Sequence, residues 1–503
     1  MGGRGWLRVR QVPTLLCAGV LVAGVLVFGA GVASAVATVN CGLPGGAAAF
    51  QTALSAGGRV SVSGTCVGTF TAPVSVRVTG TPSATLDAQG AGRTLTIGAG
   101  TSVTLSNLTI TGGNASGAGP AGAGGGILSF NATLTLNNCA VTGNTAATAG
   151  AGIVSGTLSP VSAGILTLNS SRVTNNVALG LGGGGGGGIL NHNGTAVLHN
   201  TVVSGNSAPG GGGIASGNGN GGLGGGGSLT ITGSQIVGNI ANAGPDGGAG
   251  GIANGGTLNL FNSSVTGNQA TGGSGGGILN HGIATITASA ISGNAAPDDD
   301  QGDQGIGGGI FNGNFGVTGH GVVTLTSSQV TNNQAGLGGG IASGAFGGDS
   351  LLTITDSNVS LNSVAGDQSG GGGIANLSGG FNADLTITGS TLIGNIAPQG
   401  LGGAIANASQ GGEASTSISS TMIGSTTQPY APNPNRALFG GGIFNWAMGG
   451  PANVTLETGA RIFGNIALAN GGGVFNADGA TLTLSGGSVT FNRPNDVVND
   501  PAF

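Results

Sequence analysis

The sequence is poor in charge. Only 5% of its 503 residues are charged, and the ten basic residues are all Arg, because the chain contains no Lys. Nucleic-acid binding depends on Lys and Arg contacts to phosphate, so a formal net charge of −5 argues against that class of protein. With 38% hydrophobic residues, the chain is also unlike one that charge keeps disordered.

Aromatic residues and proline are scarce as well, and glycine takes their place. Aromatics account for 4% of the chain and Pro for 16 residues, whereas Gly accounts for 115. The Gly residues do not follow a G-x-y period, which excludes a collagen triple helix. So much Gly together with many β-branched residues also excludes a mainly helical fold.

The N-terminal segment has the pattern of a secretory signal peptide. Three Arg within residues 4–10 precede an uncharged apolar stretch over residues 14–28, and Ala33-Ser34-Ala35 offers a cleavage site. We therefore expect residues 1–35 to be removed, which leaves 7 Arg against 15 acids and a charge of −8. An uncleaved membrane anchor is the alternative. No later stretch is apolar enough to span a membrane.

Four Cys residues occur, and Cys17 lies in the expected signal peptide. Cys41 and Cys66 remain near the start of the exported chain, where an oxidising environment favours a disulfide between them. Cys139 is then unpaired. Small residues hold its position in the repeat described next, so we expect a buried, unreactive thiol.

A repeat begins at Gly124. Each unit opens with Gly residues, an aliphatic residue, any residue, and then Asn or Ser. The unit recurs on average about every 31.5 residues, a period typical of solenoids. The aliphatic residues are Ile127, Ile153, Ile189, Ile214, Ile252, Ile278, Ile310, Ile341, Ile374, Ile405, Ile443 and Val474.

The second half of each unit is an eleven-residue cassette of the form LTIT-x-S-x-V-x-G-N. Its first and third positions are apolar and its second is usually Thr, the alternation of a half-buried strand. The final Asn is expected to point inward at a turn and to bond the equivalent Asn of the next unit. These residues are Asn144, Asn176, Asn206, Asn239, Asn268, Asn294, Asn333, Asn362, Asn395, Asn465 and Asn492, and the cassette near Thr416 lacks its Asn.

The repeat predicts an all-β fold, a right-handed parallel β-helix with three short strands per coil. Units as short as 25 residues cannot hold the four strands of a propeller blade. Ala47–Ala56 is expected to form a short capping helix, with Phe50 and Leu54 on its buried face. We assign residues 36–113 to the cap and irregular first coils, 114–493 to the repeat coils, and 494–503 to a tail.

The openings Gly307–Asn312, Gly402–Asn407 and Gly441–Asn445, with the cassette that ends in Asn, resemble the repeats of polymorphic outer-membrane proteins. That family carries paired GG[AL]I and FxxN motifs on surface β-helices, and here Val or Ile replaces the aromatic residue, as at Val141 and Ile236. The resemblance implies a secreted or surface β-helix with adhesive or matrix-like roles, and it does not extend to the family's translocator domain. More broadly, the predicted fold resembles the pectin-lyase-like superfamily, which includes polysaccharide lyases and hydrolases.

The superfamily resemblance makes an enzyme the first alternative. Asp298 and Asp299 lie about 20 residues before His320, which stands in the Gly-His-Gly context found in polygalacturonases. The Asn-Thr-Asp and Arg-Ile-Lys motifs that accompany it in that family are missing, so these three residues are weak catalytic candidates. Asp298, Asp300 and Asp303 are weak candidates for calcium ligands, because the loop is acidic but lacks EF-hand spacing.

The four His residues give no metal-binding pattern. His192, His199, His281 and His320 are not spaced as HxxxH or HxH. His192 and His281 follow equivalent Asn residues three units apart, and we interpret them as surface-facing variation in the repeat.

Thr pairs at the outward cassette positions suggest a second alternative. Stacked Thr-x-Thr pairs resemble the flat arrays of β-helical ice-binding proteins, although Thr is also an ordinary solvent-facing strand residue. Asn259, Phe261 and His199 interrupt the array. The pairs are Thr230/Thr232, Thr285/Thr287, Thr324/Thr326, Thr353/Thr355 and Thr386/Thr388.

Together these observations predict a secreted or cell-surface interaction protein, adhesive or matrix- and glycan-binding, without a recognisable catalytic site. Expected partners are surface glycans, a cell wall, or molecules on a host or neighbouring surface. We expect no nucleic-acid partner, a monomer and no cofactor, with loosely bound calcium as the alternative. The variable Gly-rich segments between units are the places where specificity would arise.

Overall fold

The computed structural model describes residues 36–157, 164–180, 185–217, 226–242, 248–299, 304–314, 319–365, 370–425 and 433–501. The expected signal peptide, residues 1–35, lies outside these ranges. The described chain is a solenoid of short strands in three parallel sheets, with one α-helix, Gly46–Ala56, and one short 3-10 helix, Gly119–Gly122. The predicted all-β parallel β-helix with an N-terminal capping helix is therefore confirmed.

Sheet A is formed by the cassettes and has 28 strands. In the first coils one long strand crosses the whole face, and from residue 133 onward a bend divides each crossing into two strands. The long strands, with the first short one, are Val36–Asn40, Gly58–Val67, Val76–Asp87 and Ser102–Thr111. The strands before the bend are Thr133–Asn137, Ile165–Asn169, Thr195–His199, Ser228–Thr232, Thr257–Phe261, Ile283–Thr287, Gly321–Thr326, Ser350–Thr355, Ala383–Thr388, Ala414–Ser419, Ala452–Glu457 and Thr481–Ser485. The strands after the bend are Ala140–Thr142, Arg172–Thr174, Val202–Ser204, Gln235–Val237, Ser264–Thr266, Ala290–Ser292, Gln329–Thr331, Asn358–Ser360, Thr391–Ile393, Met422–Gly424, Arg461–Phe463 and Ser488–Thr490.

Sheet B has 15 strands and carries the aliphatic-x-Asn openings, and sheet C has 12 strands that follow the cassette Asn. The strands of sheet B are Phe70–Ala72, Leu95–Ile97, Ile127–Phe130, Ile153–Gly156, Ile189–His192, Ile214–Gly217, Ile252–Asn254, Ile278–Asn280, Ile310–Asn314, Ile341–Ala345, Ile374–Ser378, Ile405–Ser409, Ile443–Ala447, Val474–Ala477 and Val497–Asp500. Those of sheet C are Asn114–Ala115, Thr145–Ala146, Val177–Ala178, Ser207–Ala208, Ile240–Ala241, Gln269–Ala270, Ala295–Ala296, Gln334–Ala335, Ser363–Val364, Ile396–Leu401, Arg436–Phe439 and Ile466–Asn470.

The structure corrects the sequence-based expectation in two places. A repeat coil has four strands instead of three, because the bend splits the cassette and a two-residue strand follows its Asn. Residues 494–503 are not simply a tail, since Val497–Asp500 pairs in parallel with Val474–Ala477 as one more rung of sheet B.

Equivalent residues stack in register along the solenoid. Ile127 pairs with Ile153, which pairs with Ile189, and the same column continues to Val474. All of these side chains are fully buried. Because one coil encloses too little apolar surface for a core of its own, the stacked column supplies the hydrophobic stabilisation that a single coil lacks.

The cassette Asn residues form a continuous buried ladder of twelve side chains. Each Nδ2 donates to Oδ1 of the next Asn at 2.8 to 3.0 Å, as in the Asn239–Asn268 pair. The cassette that lacks Asn in the sequence is completed by Asn435, which the repeat pattern did not identify. Asp496 ends the ladder by accepting bonds from the backbone N–H and Nδ2 of Asn492.

The Gly triplets at the openings are required by the close approach of neighbouring coils. A Cβ added at Gly276 would clash with the carbonyl oxygens of Ala295 and Gly308, and one at Gly277 would lie 2.6 Å from the carbonyl oxygen of Gly309. The first Gly of this triplet, Gly275, has a φ of +75°, which residues with side chains rarely adopt. Much of the Gly content is thus a consequence of stacking.

The Cys residues occupy two kinds of position. Cys41 and Cys66, the pair expected from the sequence, form a disulfide beside the capping helix, with Cα atoms 4.8 Å apart. Cys139 is free and buried. Burial raises the pKa of the Cys139 thiol. Cys139 belongs to a second inward column, in which most coils carry Ser or Thr, and its backbone N–H donates to Ser171 Oγ of the next coil at 3.1 Å.

Candidate functional site

The outward side of sheet B is covered and apolar, which the sequence analysis missed. The middle residue of the aliphatic-x-Asn opening, treated there as any residue, points outward and is buried in most coils, as at Val154, Leu279 and Phe311. Segments that precede the openings fold over it, and Ala149 and Ala249 pack against the same residues. Apolar residues at two consecutive positions of these strands, as at Ile278-Leu279 and Ile310-Phe311, are the signal that could have revealed this layer.

A cavity of about 240 Å³ opens in this layer toward the C-terminal coils. Its floor is the outward side of three sheet B strands, Ile374–Ser378, Ile405–Ser409 and Ile443–Ala447, and its two walls come from segments before and after the sheet B strands. The lining residues are Gln304, Leu337, Phe346, Gly370, Leu377, Ser378, Leu401, Ala406, Ala408, Gln410, Phe444 and Trp446. We call this the sheet B cavity.

Aromatic rings define one end of the sheet B cavity. Phe444 is buried and stacks on Phe475 of the next coil, with ring centroids 5.6 Å apart and planes at 7°. Trp446 packs edge-on against Phe444 at 6.1 Å, and its Nε1 donates to Asp478 Oδ2 at 2.6 Å. These contacts fix the indole in a half-buried position, so that part of its surface faces the cavity.

The polar side of the cavity is held by bonds between successive loops. Ser378 Oγ donates to the carbonyl oxygen of Phe381 at 2.8 Å and accepts from the backbone N–H of Gly412 at 2.9 Å. The backbone N–H of Gln410 donates to the carbonyl oxygen of Ser378 at 2.7 Å, which places the exposed Gln410 amide on the rim. The cavity therefore combines rigid aromatic rings with a few polar groups, as is typical of small-molecule sites.

Three carboxylates lie next to this rim, at the start of successive sheet A strands. They are Asp349, Asp384 and Glu413, and each is exposed. Burial, followed by the negative charges of Glu413 and Asp349, raises the pKa of Asp384. Among the described residues only His320 makes an ion-pair contact with the three, through Nδ1 at 3.6 Å from Asp349 Oδ2. The rim is thus negatively charged, which disfavours an anionic ligand.

The weak catalytic candidates do not come together. Asp298 lies before strand Ile310–Asn314, where its Oδ1 accepts the backbone N–H of Gly305 at 2.9 Å and fixes a turn. Asp299 packs against Gly272 of the preceding coil. His320 follows the same strand, and its side chain is 69% exposed. The two acids and the His therefore lie beyond opposite ends of this strand.

Asp298 is the one candidate calcium ligand among the described residues. Asp300 and Asp303 lie outside the described residues, so that only Asp298 of the three candidates can be placed. Within the described ranges, no group of three or more His, Cys, Asp and Glu side chains is arranged to hold a metal ion.

The His residues correct one further expectation. His281 is buried, not surface-facing, and its ring meets Phe311 edge-on at 6.4 Å. His192 is half-buried against Phe130, and burial lowers the pKa of its imidazole. Both rings belong to the apolar layer over sheet B, because the covering segments shield positions that the sequence alone places outside.

The Thr pairs lie where the sequence predicts, on the outward side of sheet A. Thr285, Thr324, Thr353 and Thr386 are consecutive partners in register, and the Thr residues two positions later pair in the same way. Phe261 stands beside Thr287 in the second column and ends the regular array. Four coils therefore carry an uninterrupted Thr array.

In the described part of the chain, no helix has both the length and the apolar character needed to cross a membrane.

Comparisons with other proteins identify no family. None of the protein-family models, curated proteins or solved structures compared with the chain matches it.

Proposed function

We propose that this protein is a secreted or cell-surface solenoid that binds glycans, and that the sheet B cavity is its binding site. The observation that carries the proposal is that two aromatic rings, Phe346 and Trp446, and two side-chain amides, Gln304 and Gln410, line the same cavity. Aromatic rings pack against the C–H faces of sugar rings, and amides bond sugar hydroxyls. The adhesive or matrix role follows from such binding at a surface.

Charge narrows the class of glycan. The cavity lining contains no charged side chain, and Asp349, Asp384 and Glu413 lie beside its rim. A polyuronate would bring carboxylates toward carboxylates, which costs electrostatic free energy at low ionic strength. Neutral glycans therefore fit this site better than the acidic polymers cleaved by pectin-degrading enzymes.

Tryptophan fluorescence provides the test. Cleavage after residue 35 removes Trp6 and leaves Trp446 as the only tryptophan, so a change in emission on adding a glycan reports on the cavity directly. We expect saturable quenching or enhancement with at least one neutral oligosaccharide of a broad panel, and a weaker response with oligogalacturonate.

Variants separate the cavity from the rest of the surface. Phe346→Ala and Gln410→Ala are expected to weaken binding about tenfold each, since each removes one contact with the ligand. Phe491→Ala is the matched control, because Phe491 is 64% exposed in the last sheet A coil and away from the cavity. Equal binding by all three variants would contradict the proposal, and so would release of reducing or unsaturated ends from a bound polysaccharide.

Ice binding is a second candidate, favoured by the four uninterrupted Thr-x-Thr coils between Thr285 and Thr388. A regular hydroxyl array on a rigid sheet can match the spacing of an ice surface. Replacement of Thr324 by Tyr would disrupt the array. Thermal hysteresis that the wild type shows and Thr324→Tyr loses would support this function, and its absence from the wild type would exclude it.

A further inference from the structure

A second concave surface runs along the bend of sheet A, on a different sheet from the cavity above. It has a volume of about 350 Å³ and crosses four coils between Gly233 and Gln329. The bend arises because one residue per coil has positive φ: Gly233 at 60°, Asn262 at 47°, Ala288 at 49° and Ser327 at 49°. The strands before and after these residues therefore meet at an angle, and stacking turns the angle into a trough parallel to the solenoid axis. We call it the bend trough.

The lining of the bend trough is polar and uncharged. Apart from Gly233, Ala288 and Ala290 it consists of Ser, Asn and Gln side chains. The hydroxyls of Ser263 and Ser289 are already engaged in the inward column of Ser and Thr. Gln235 and Gln329 are exposed, and within the described residues their side-chain amides bond no protein group. Each offers two donors and an acceptor to a ligand.

Phe261 stands at the edge of this trough without a role in the core. It directly precedes Asn262 of the trough and is 52% exposed, while its partners in register are Thr232 and Thr287. No packing requirement of sheet A explains a large aromatic ring at a position where neighbouring coils carry Thr. An exposed ring next to the trough, with free amides one coil before it and two coils after it, has the composition of a saccharide-binding surface.

We propose that the bend trough binds a neutral saccharide chain that lies along the solenoid axis, with one sugar ring packed on Phe261. Hydroxyls of the sugars on either side of that ring are bonded by Gln235 and Gln329, which lie three rungs apart in register. The charge distribution fixes the ligand class. Between Arg172 and Asp298 the sequence has one charged residue, Asp246, and none lines the trough. Ionic attraction therefore contributes little, and hydrogen bonds and ring packing provide the affinity. The site is independent of the sheet B cavity, so one molecule would hold two chains.

The experiment uses the secreted protein with the sheet B cavity disabled by Trp446→Ala. Neutral hexasaccharides of glucose, mannose, xylose and N-acetylglucosamine are the probes, with hexagalacturonate as the anionic comparison, and binding is measured by titration calorimetry. We expect Trp446→Ala to retain binding of at least one neutral probe and to bind hexagalacturonate more weakly. Adding Phe261→Thr, the residue that flanking coils carry, should weaken binding about tenfold, whereas adding Phe491→Ala should not.

Three results would overturn the proposal. They are the absence of binding of every probe by Trp446→Ala, equal affinity with and without Phe261→Thr, and tighter binding of hexagalacturonate than of the neutral probes. Thermal unfolding of each variant shows whether the fold is intact, and Phe261→Trp combined with Trp446→Phe gives a second readout. Its emission should change when the retained neutral probe is added, and an unchanged emission would count equally against the site.

Discussion

The side-chain amide of Asn395 donates to Oδ1 of Asn435, forty residues later in sequence and one coil away in space, at 3.0 Å. The other consecutive rungs of the ladder are 26 to 39 residues apart, as between Asn268 and Asn294 or Asn294 and Asn333. The longer connection does not interrupt the ladder, because the additional residues lie between the last strand of sheet A and Asn435. The coils are therefore aligned by their inward side chains, whatever the length of the segments between them.

The ladder predicts a strong response to loss of one amide. Asn239→Thr removes bonds to Asn268 Oδ1 and to the carbonyl oxygen of Val203, and it leaves the Asn206 amide without its acceptor. Unsatisfied buried polar groups make a loss of about 3 kcal/mol the expected result. Urea unfolding measures it. Asn259→Thr, at an exposed outward position of sheet A, should change the free energy of unfolding by less than about 0.5 kcal/mol.

A second prediction concerns the close approach of coils at the Gly triplets. Gly276→Ala places a methyl group against the backbone oxygens of Ala295 and Gly308, so that the coils must separate. We expect a loss of about 3 kcal/mol, measured by urea unfolding. Gly238→Asn is the control, because nothing lies within 4 Å of an added Cβ there and Asn175 holds the same backbone conformation two coils earlier. A stable Gly276→Ala protein would contradict this account.

The state of Cys139 is also testable. Its thiol is buried and its pKa is raised by burial, so little thiolate is available to a reagent. In the folded chain that begins at Val36 a thiol reagent should label no Cys, and after unfolding without reductant it should label one, because Cys41 and Cys66 form a disulfide. Cys139→Ser should leave the unfolding free energy within about 0.5 kcal/mol, because Ser171 already holds the equivalent position in the next coil. Rapid labelling of the native protein would be inconsistent with the structure.

The acidic rim predicts a defined dependence on pH. The raised pKa of Asp384 means that the folded state holds this proton more tightly than the unfolded chain. The corresponding stability is present at low pH and is lost as pH rises through the folded pKa. Asp384→Asn should therefore raise the Tm at pH 7 and leave it unchanged near pH 3. Asp356→Asn, an exposed acid one coil earlier, is the control, and an equal rise for both variants would remove the basis for this prediction.

Sequence periodicity was sufficient to predict the parts of the fold that repeat. The aliphatic column, the Asn ladder and the outward Thr pairs lie where the repeat places them, since stacked coils put equivalent residues in register. The capping helix lies outside the repeat and followed from its own apolar face. Asn435 was not predicted, because an insertion displaced it from its expected position in the repeat. The bend was not predicted either, because a positive φ at residues such as Asn262 or Ala288 leaves little trace in the amino-acid composition.

The candidate sites were much harder to predict. The sheet B cavity depends on how irregular segments carrying Leu337, Phe346 and Leu401 pack over regular strands, and unequal segments give no period to detect. The acids and His that the sequence singled out, Asp298, Asp299 and His320, were noticed for their types and spacing, yet sheet B separates them. The exposed Phe261 was treated as an interruption of the Thr array, although its environment is what gives it a proposed role.

The parallel pairing of every coil with the one before it has a consequence for biogenesis. In a solenoid of this kind the strands of each coil pair only with those of the coil before and the coil after it. The last folded coil therefore offers all the backbone partners that the next coil needs. The disulfide and the helix of the first turns lie at the N-terminal end of the solenoid, which is synthesised first. Such a chain can form its coils one after another while its remainder is still being synthesised, without waiting for the whole polypeptide.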